Sequence, residues 1–236
     1  MISFFKLTLY IPLYNLLVFL ASVMPKNDIG LAIVVLTLGV KTALFPLQHK
    51  ASKTQSKMKT IEPELSKIKE NKNKEEQAKQ MMELYKEHGI NPFSSILLLF
   101  IQIPIIMALY FVFLKGFSLN LDILYTFTPK PATTNSIFLG LVDIHTKSYL
   151  FALLVGVTQF FQIRLAMPAV TPNPDSKGTF GADFQKSMNV QMRYVMPVII
   201  MFVSASLPVA VSIYWITSNV FSICHELFVK RLLVKN

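Results

Sequence analysis

Thirty-two consecutive residues, Tyr194 to His225, contain no Asp, Glu, Lys or Arg. At about 1.5 Å per residue one helix of that length would extend roughly 48 Å, against roughly 30 Å of hydrocarbon in a bilayer. The run is too long for one crossing. Ser206, Leu207 and Pro208 stand near its middle, and proline disrupts a helix interior because it lacks the N–H donor and its ring clashes with the preceding turn. The run therefore reads as two spans joined by a tight turn. Composition agrees: 15% of the residues are charged, against about 25% in an average soluble domain. The charges are also segregated, with 17 of the 36 lying between Lys50 and Glu87.

Three further runs are nearly free of charge, the third of them short. Ile29 to Leu47 opens at Asp28 and Gly30, closes at Pro46 and is broken only by Lys41; Phe93 to Leu114 is entered through Asn91 and Pro92; Ser148 to Ile163 lies between Lys147 and Arg164. The fold class that follows is all-α: a polytopic membrane protein with a five-helix transmembrane core. Lys and Arg concentrate on the cytoplasmic side of membrane proteins. With five crossings, 17 of the 23 cationic residues fall on one side, and only Lys26, Lys115, Lys130 and Lys147 on the other. This assigns the charged segment and the C-terminus to the cytoplasm, and the net charge of +10 to membrane orientation rather than to nucleic acid. The segment Ile2 to Met24, apolar except for Lys6 and interrupted by Pro12, reads best as an entry helix at the outer interface. A sixth span is the alternative; a signal sequence is the weaker one, because Ala21, Ser22 and Val23 resemble a cleavage site only faintly.

Between the first two spans the chain is polar with helical periodicity. Met58, Ile61, Leu65 and Ile68 recur at helical spacing, as do Ala78, Met82 and Tyr85, and Asn71 to Asn73 breaks the pattern between them. Two helices with one thin apolar seam each are expected to fold together as an antiparallel hairpin, either a solvated connector or a docking arm. The chain thus divides into 1–27, an interfacial or spanning helix; 28–47, the first core span; 48–92, the cytoplasmic hairpin; and 93–236, the remaining four spans with a short cytoplasmic tail.

Lys41 is the polar residue that most requires a reason. It lies about 9 Å from the cytoplasmic end of its span, and an ammonium in mid-membrane costs at least about 2.5 to 3.5 kcal/mol. Its long stem also permits snorkelling towards the headgroups. Gln102 in the second span, Gln159 and Gln162 in the third, and Tyr214, Thr217, Ser218 and Asn219 in the last add polar groups, which together suggest a wet interior cavity. No Asp or Glu stands within the core of any span, whereas an ion-coupled transporter would be expected to carry one. The cation is therefore free to meet an acidic group from a substrate. Gly178 and Gly181 lack phosphate-loop spacing. His49, His88, His145 and His225 show no paired-histidine spacing, and the single Cys224 excludes an internal disulfide and a cysteine metal cluster. No catalytic residue, cofactor or metal is expected.

Several motifs resemble one family. Gly30-Leu31-Ala32-Ile33-Val34-Val35 leading through Thr37 to Lys41 and Phe45-Pro46-Leu47, Asn91-Pro92-Phe93 followed by Ile101-Gln102-Ile103-Pro104-Ile105 and Ala108-Leu109-Tyr110, and Met196-Pro197 with Leu207-Pro208, Tyr214-Trp215 and Ser218-Asn219 are similar to the YidC-type membrane protein insertases. The likeness runs from about Pro12 to Leu233. It implies a five-helix core, a cytoplasmic hairpin, and a hydrophilic groove open to cytoplasm and lipid and closed to the outside. Lys41, Gln102, Gln159, Gln162, Tyr214, Trp215, Ser218 and Asn219 would line that groove. It also implies an insertase and chaperone for short or simple membrane proteins, working in the bacterial cell membrane with nascent membrane proteins and lipid, and with the ribosome and Sec translocon as further partners. Where the family carries a groove arginine this chain has Lys41, which keeps the charge but loses the planar two-pronged grip on carboxylates. A small-solute channel or transporter and a ribosome-docking assembly factor are the rival readings.

Overall fold

Asp28 sets the frame of the bundle. Its carboxylate accepts from the backbone N–H of Leu31 at 3.1 Å, satisfying one of the donors that a helix start leaves unpaired, and so opens helix α2 (Ile29–Ala43). The computed structural model describes residues 2–69, 71, 73–91, 100, 103–108, 110–112, 121–129, 133–166 and 190–234. Before α2 lies α1, made of Ile2–Phe5, a π-helical turn Lys6–Tyr10, and Ile11–Val23. After it come α3 (Phe45–Thr60), α4 (Glu62–Lys69) and α5 (Lys74–Glu87). Next are α6 (Ile103–Val112), two short strands β1 (Ile137–Phe138) and β2 (Val142–Asp143), and α7 (Tyr149–Ala166). The last two are α8 (Gln191–Ala205) and α9 (Val209–Val234).

Proline explains the irregular turns. Pro12 and Pro197 each follow a π-helical turn, Lys6–Tyr10 and Gln191–Val195, which closes by a bond from the next backbone N–H five residues back, Ile11 to Lys6 and Met196 to Gln191. Widening the turn takes up the strain that a proline ring puts on the helix before it. Pro46, with no N–H to give to Thr42, marks a sharper break. α2 stops at Ala43, four residues before the expected Leu47, and α3 leaves at 60°. The α8–α9 break falls at Ser206, Leu207 and Pro208, where the sequence places it.

Lys6–Val23 and Tyr149–Ala166 are each long and apolar enough to cross a membrane, as is the bent pair Ile29–Ala43 with Phe45–Thr54. The main core joins α1, α2, α6 and α9 through Leu17, Val18, Ala32, Ile33, Leu36, Ile105, Val209 and Tyr214. In α1, Asn15 is buried and fully engaged: it donates to the carbonyls of Ile11 and Ile123, and its oxygen accepts from the Tyr125 N–H at 2.7 Å and the Thr128 hydroxyl at 3.0 Å. The N-terminal helix is thereby tied to the loop after α6.

α7 is built inside out relative to a helix in water. Ala152, Val155, Gly156 and Ile163 are buried, whereas Tyr149, Leu150, Leu153, Leu154, Val157 and Phe161 are exposed. Small residues at Ala152 and Gly156 on the inside and large apolar ones outside suit a helix that faces lipid and packs closely on its neighbours. A Cβ added at Gly156 would lie 3.0 Å from the Met201 Cβ on α8. Gly156→Leu is expected to separate α7 from α8 at a cost of about 2 kcal/mol, the usual scale for overpacking, read as a lower midpoint of unfolding in detergent, whereas Val157→Leu on the exposed apolar face leaves it unchanged.

The polar segment forms two packed helices, but its second seam differs from the expected one. Ile61, Leu65, Leu84 and Ile90 are buried together, with Met58, Ile68, Met81 and Tyr85 against them, while Ala78 and Met82 are exposed. Asn73 caps α5 through the N–H groups of Glu75 and Glu76, and a turn at Gly89 (φ +57°) lets Ile90 join the cluster. The larger Leu84 and Met81 therefore face α4 in place of Ala78 and Met82. Gln102, Lys115, Lys130, Lys177, Lys186 and Lys235, and the first ten residues of the expected span Phe93 to Leu114 other than Phe100, lie outside the described residues.

Candidate functional site: a buried polar cluster around Lys41

Lys41 sits on the last turn of α2, immediately before the bend, and is 9% exposed. Among the described residues no carboxylate pairs with its ammonium. The bend turns α3 across α9, and there the two helices meet through side chains the sequence reading did not single out. The Gln48 amide donates to the Ser222 hydroxyl at 3.2 Å, and the Ser52 hydroxyl donates to Glu226 at 2.5 Å; all four residues are buried. Each helix contributes residues four apart, so the two bonds form successive rungs one helical turn apart. Ser222 also donates to the Ser218 carbonyl at 2.9 Å.

Two histidines complete the cluster. The rings of Phe45, His49 and His225 form a triangle with centroid separations of 6.0, 5.0 and 5.7 Å. His225 is buried and lies within electrostatic reach of Lys41, Glu226 and His49. Both of its ring nitrogens and Nδ1 of His49 are buried without a hydrogen-bond partner among the described residues. Buried polar groups are usually paired, so these nitrogens stand out in the cluster.

The other sequence candidates are spread along α7 and α9. Gln159 and Gln162 bond to each other at 3.1 Å rather than to Lys41. Asn219, buried, donates to the Thr158 hydroxyl at 3.2 Å and links α9 to α7; deeper still, the buried hydroxyls of Ser204 and Ser212 lie 2.9 Å apart. Tyr214 and Trp215 line an apolar pocket with Ile106, Met107, Tyr110, Leu207 and Val211. Two surfaces therefore meet along α9: a polar one towards Lys41 and an apolar one towards α6. The available signal for the missed residues was the pair of polar doublets at helical spacing, Gln48 with Ser52 and Ser222 with Glu226. Nothing in either doublet says what it faces.

Comparison with known proteins supplies the family. The family described as 60Kd inner membrane protein matches residues 19–236. Membrane protein insertase YidC 2 of Bacillus anthracis is 32% identical over 225 residues, covering 93% of this chain and 78% of that protein. Membrane protein insertase YidC of Clostridium tetani (strain Massachusetts / E88) is 32% identical over 220 residues, covering 91% and 88%. A longer relative of the same name, from Francisella tularensis subsp. novicida (strain U112), is 30% identical over 206 residues, 86% of this chain and 32% of that protein. The chain accordingly belongs to the 60Kd inner membrane protein family, that of the YidC-type membrane protein insertases.

Proposed function

We propose that this insertase receives its substrates at the Lys41 cluster. A nascent membrane protein with a polar or acidic leading end enters from the cytoplasm, and its carboxylate pairs for a time with the Lys41 ammonium. The open nitrogens of His49 and His225, with Ser218, Ser222 and Asn219, supply hydrogen bonds that lower the cost of taking a polar segment out of water. The following apolar segment moves along the pocket lined by Tyr214 and Trp215 into lipid. Its burial, at roughly 25 cal/mol per Å2 of apolar surface, drives the step, so neither a nucleotide nor a cofactor is required. The same polar and apolar surfaces serve a chaperone role for short substrates.

In this reading five helices, α2 and α6 to α9, span the membrane. The hairpin of α4 and α5 and the C-terminus lie in the cytoplasm, where they meet the ribosome and the Sec translocon. The observation that carries the proposal is a buried lysine that has no acidic partner among the described residues and lies within electrostatic reach of the buried His225, at the end of α2 where α3 and α9 meet through buried hydroxyl and amide groups. The test is cross-linking. With Cys224 first replaced by Ser, single cysteines at Lys41 and Tyr214 are expected to cross-link a ribosome-stalled nascent membrane protein, and one at the exposed Lys79 is not. Labelling at Lys79 alone sinks the groove reading and leaves docking at the hairpin; solute flux through proteoliposomes would favour a channel.

A further inference from the structure

The end of the bundle at which α2, α7 and α9 begin is tied together by the segment from Thr133 to Thr146. The carbonyl of Asn135 accepts from the Ile29 N–H at 3.1 Å, and those of Thr146 and Ile144 accept from the N–H groups of Val209 and Ala210 at 2.9 and 3.0 Å. Asp28 accepts from the Leu139 N–H at 2.8 Å. Within this segment β1 and β2 pair antiparallel, Ile137 opposite Asp143 and Phe138 opposite Val142. The Phe138 ring packs edge-on to Phe151 of α7, with centroids 6.5 Å apart, and lies so close to Gly30 of α2 that any side chain there would overlap it. The hairpin is thus held firmly against α2 and α7.

Its turn is unlike a turn made for water. Leu139 and Gly140 have φ of +53° and +74°, a pair of left-handed residues that favours Asn-Gly and strains a leucine. Leu139 is nonetheless half exposed and Leu141 is 84% exposed, with Ile137 exposed beside them. The helix against which Phe138 packs is also apolar outside: Tyr149 and Leu150 in the first turn of α7 are 86% and 63% exposed, and below them Leu153, Leu154 and Val157 form an outward stripe. That stripe is the lipid-facing side of a membrane helix. An apolar turn that is strained, exposed and packed through its hairpin onto that helix has a solvent that suits it in the interfacial layer of the bilayer.

We propose that the turn Leu139-Gly140-Leu141 is a membrane anchor, inserted among the lipids of the leaflet at this end of the bundle, and that it fixes the depth at which α2 and α7 sit. The inference uses the membrane-spanning nature of α7 and does not depend on where substrates bind. The test is carried out in Cys224→Ser protein with Leu141→Cys carrying an environment-sensitive nitrobenzoxadiazole label, in phosphatidylcholine–phosphatidylglycerol vesicles. Lipids spin-labelled high on the acyl chain are expected to quench the label by about twofold, and labels near the chain end less, as for an interfacial residue. Leu153→Cys should respond to the deeper label, and Lys79→Cys on the exposed polar hairpin to neither. A second variant separates backbone from solvent effects. Leu139→Asn suits the left-handed backbone, yet it is expected to weaken quenching at position 141 by withdrawing the turn from lipid. A water-like emission at Leu141→Cys without lipid quenching overturns the proposal. So does a label shielded from water but not quenched by lipid that forms intermolecular disulfides when unlabelled, because the turn would then seat against a second copy of the chain. Insertion assayed in the same vesicles reports separately on the Lys41 reading: an active protein with an aqueous turn refutes the anchor alone.

Discussion

Replacing Lys41 with Met lowers the insertion of a substrate with an acidic leading end by about tenfold or more and leaves a substrate with a neutral end untouched. A charge-assisted hydrogen bond contributes about 1.5 to 3 kcal/mol, and about 1.4 kcal/mol corresponds to one power of ten. Methionine keeps an unbranched apolar stem of similar reach, so packing on α2 is largely preserved. The stability effect has the opposite sign. An ammonium 9% exposed and without a carboxylate partner among the described residues costs the fold free energy, so the Met variant unfolds at the same temperature or higher. Lys41→Arg retains insertion of the acidic substrate. The measurement is protease protection of two matched substrates in proteoliposomes, alongside thermal unfolding in detergent. Equal loss for both substrates, or a clear fall in stability, would make Lys41 a structural residue.

The second large effect concerns the rungs between α3 and α9. Ser52→Ala is expected to destabilise the protein by about 3 kcal/mol, more than Glu226→Ala at about 1.5 kcal/mol. The asymmetry is physical. Removing Ser52 leaves a buried carboxylate without its donor, which is more costly than a buried hydroxyl left without an acceptor. The double variant should recover part of the loss, because neither group is then stranded, and a double-mutant cycle measures the coupling directly. Additive losses would show that the 2.5 Å contact is incidental.

Helix class and several boundaries were open to reading from the residues. The charge-free run is divided at Ser206 to Pro208 because proline acts within one chain segment, and the first hairpin seam was visible in the spacing of Met58, Ile61, Leu65 and Ile68. In the second seam Tyr85 packs as expected, while Met81 and Leu84 take the place of Ala78 and Met82. A thin stripe fits Ala78, Met82 and Tyr85 nearly as well as Met81, Leu84 and Tyr85, and only the Asn73 cap and the turn at Gly89 choose between them. Lys41 could be singled out because a lone charge in an apolar run is conspicuous. Its surroundings could not. Gln48 and Ser52 were placed in the polar hairpin and Glu226 beyond the last span, each ordinary where it stands, and their partners lie 174 residues away along the chain. Periodicity describes which residues share a face of one helix; it carries no information about what that face meets.

The arrangement of α7 reverses the customary map of mutational tolerance. In a helix bathed by water the outward positions accept almost any polar substitute and the inward ones demand bulk. Here the outward stripe from Leu150 to Phe161 should tolerate exchanges among oily residues and reject charge, while the inward Ala152 and Gly156 should reject size. A survey of variants that equated burial with large residues would misjudge both faces of this helix.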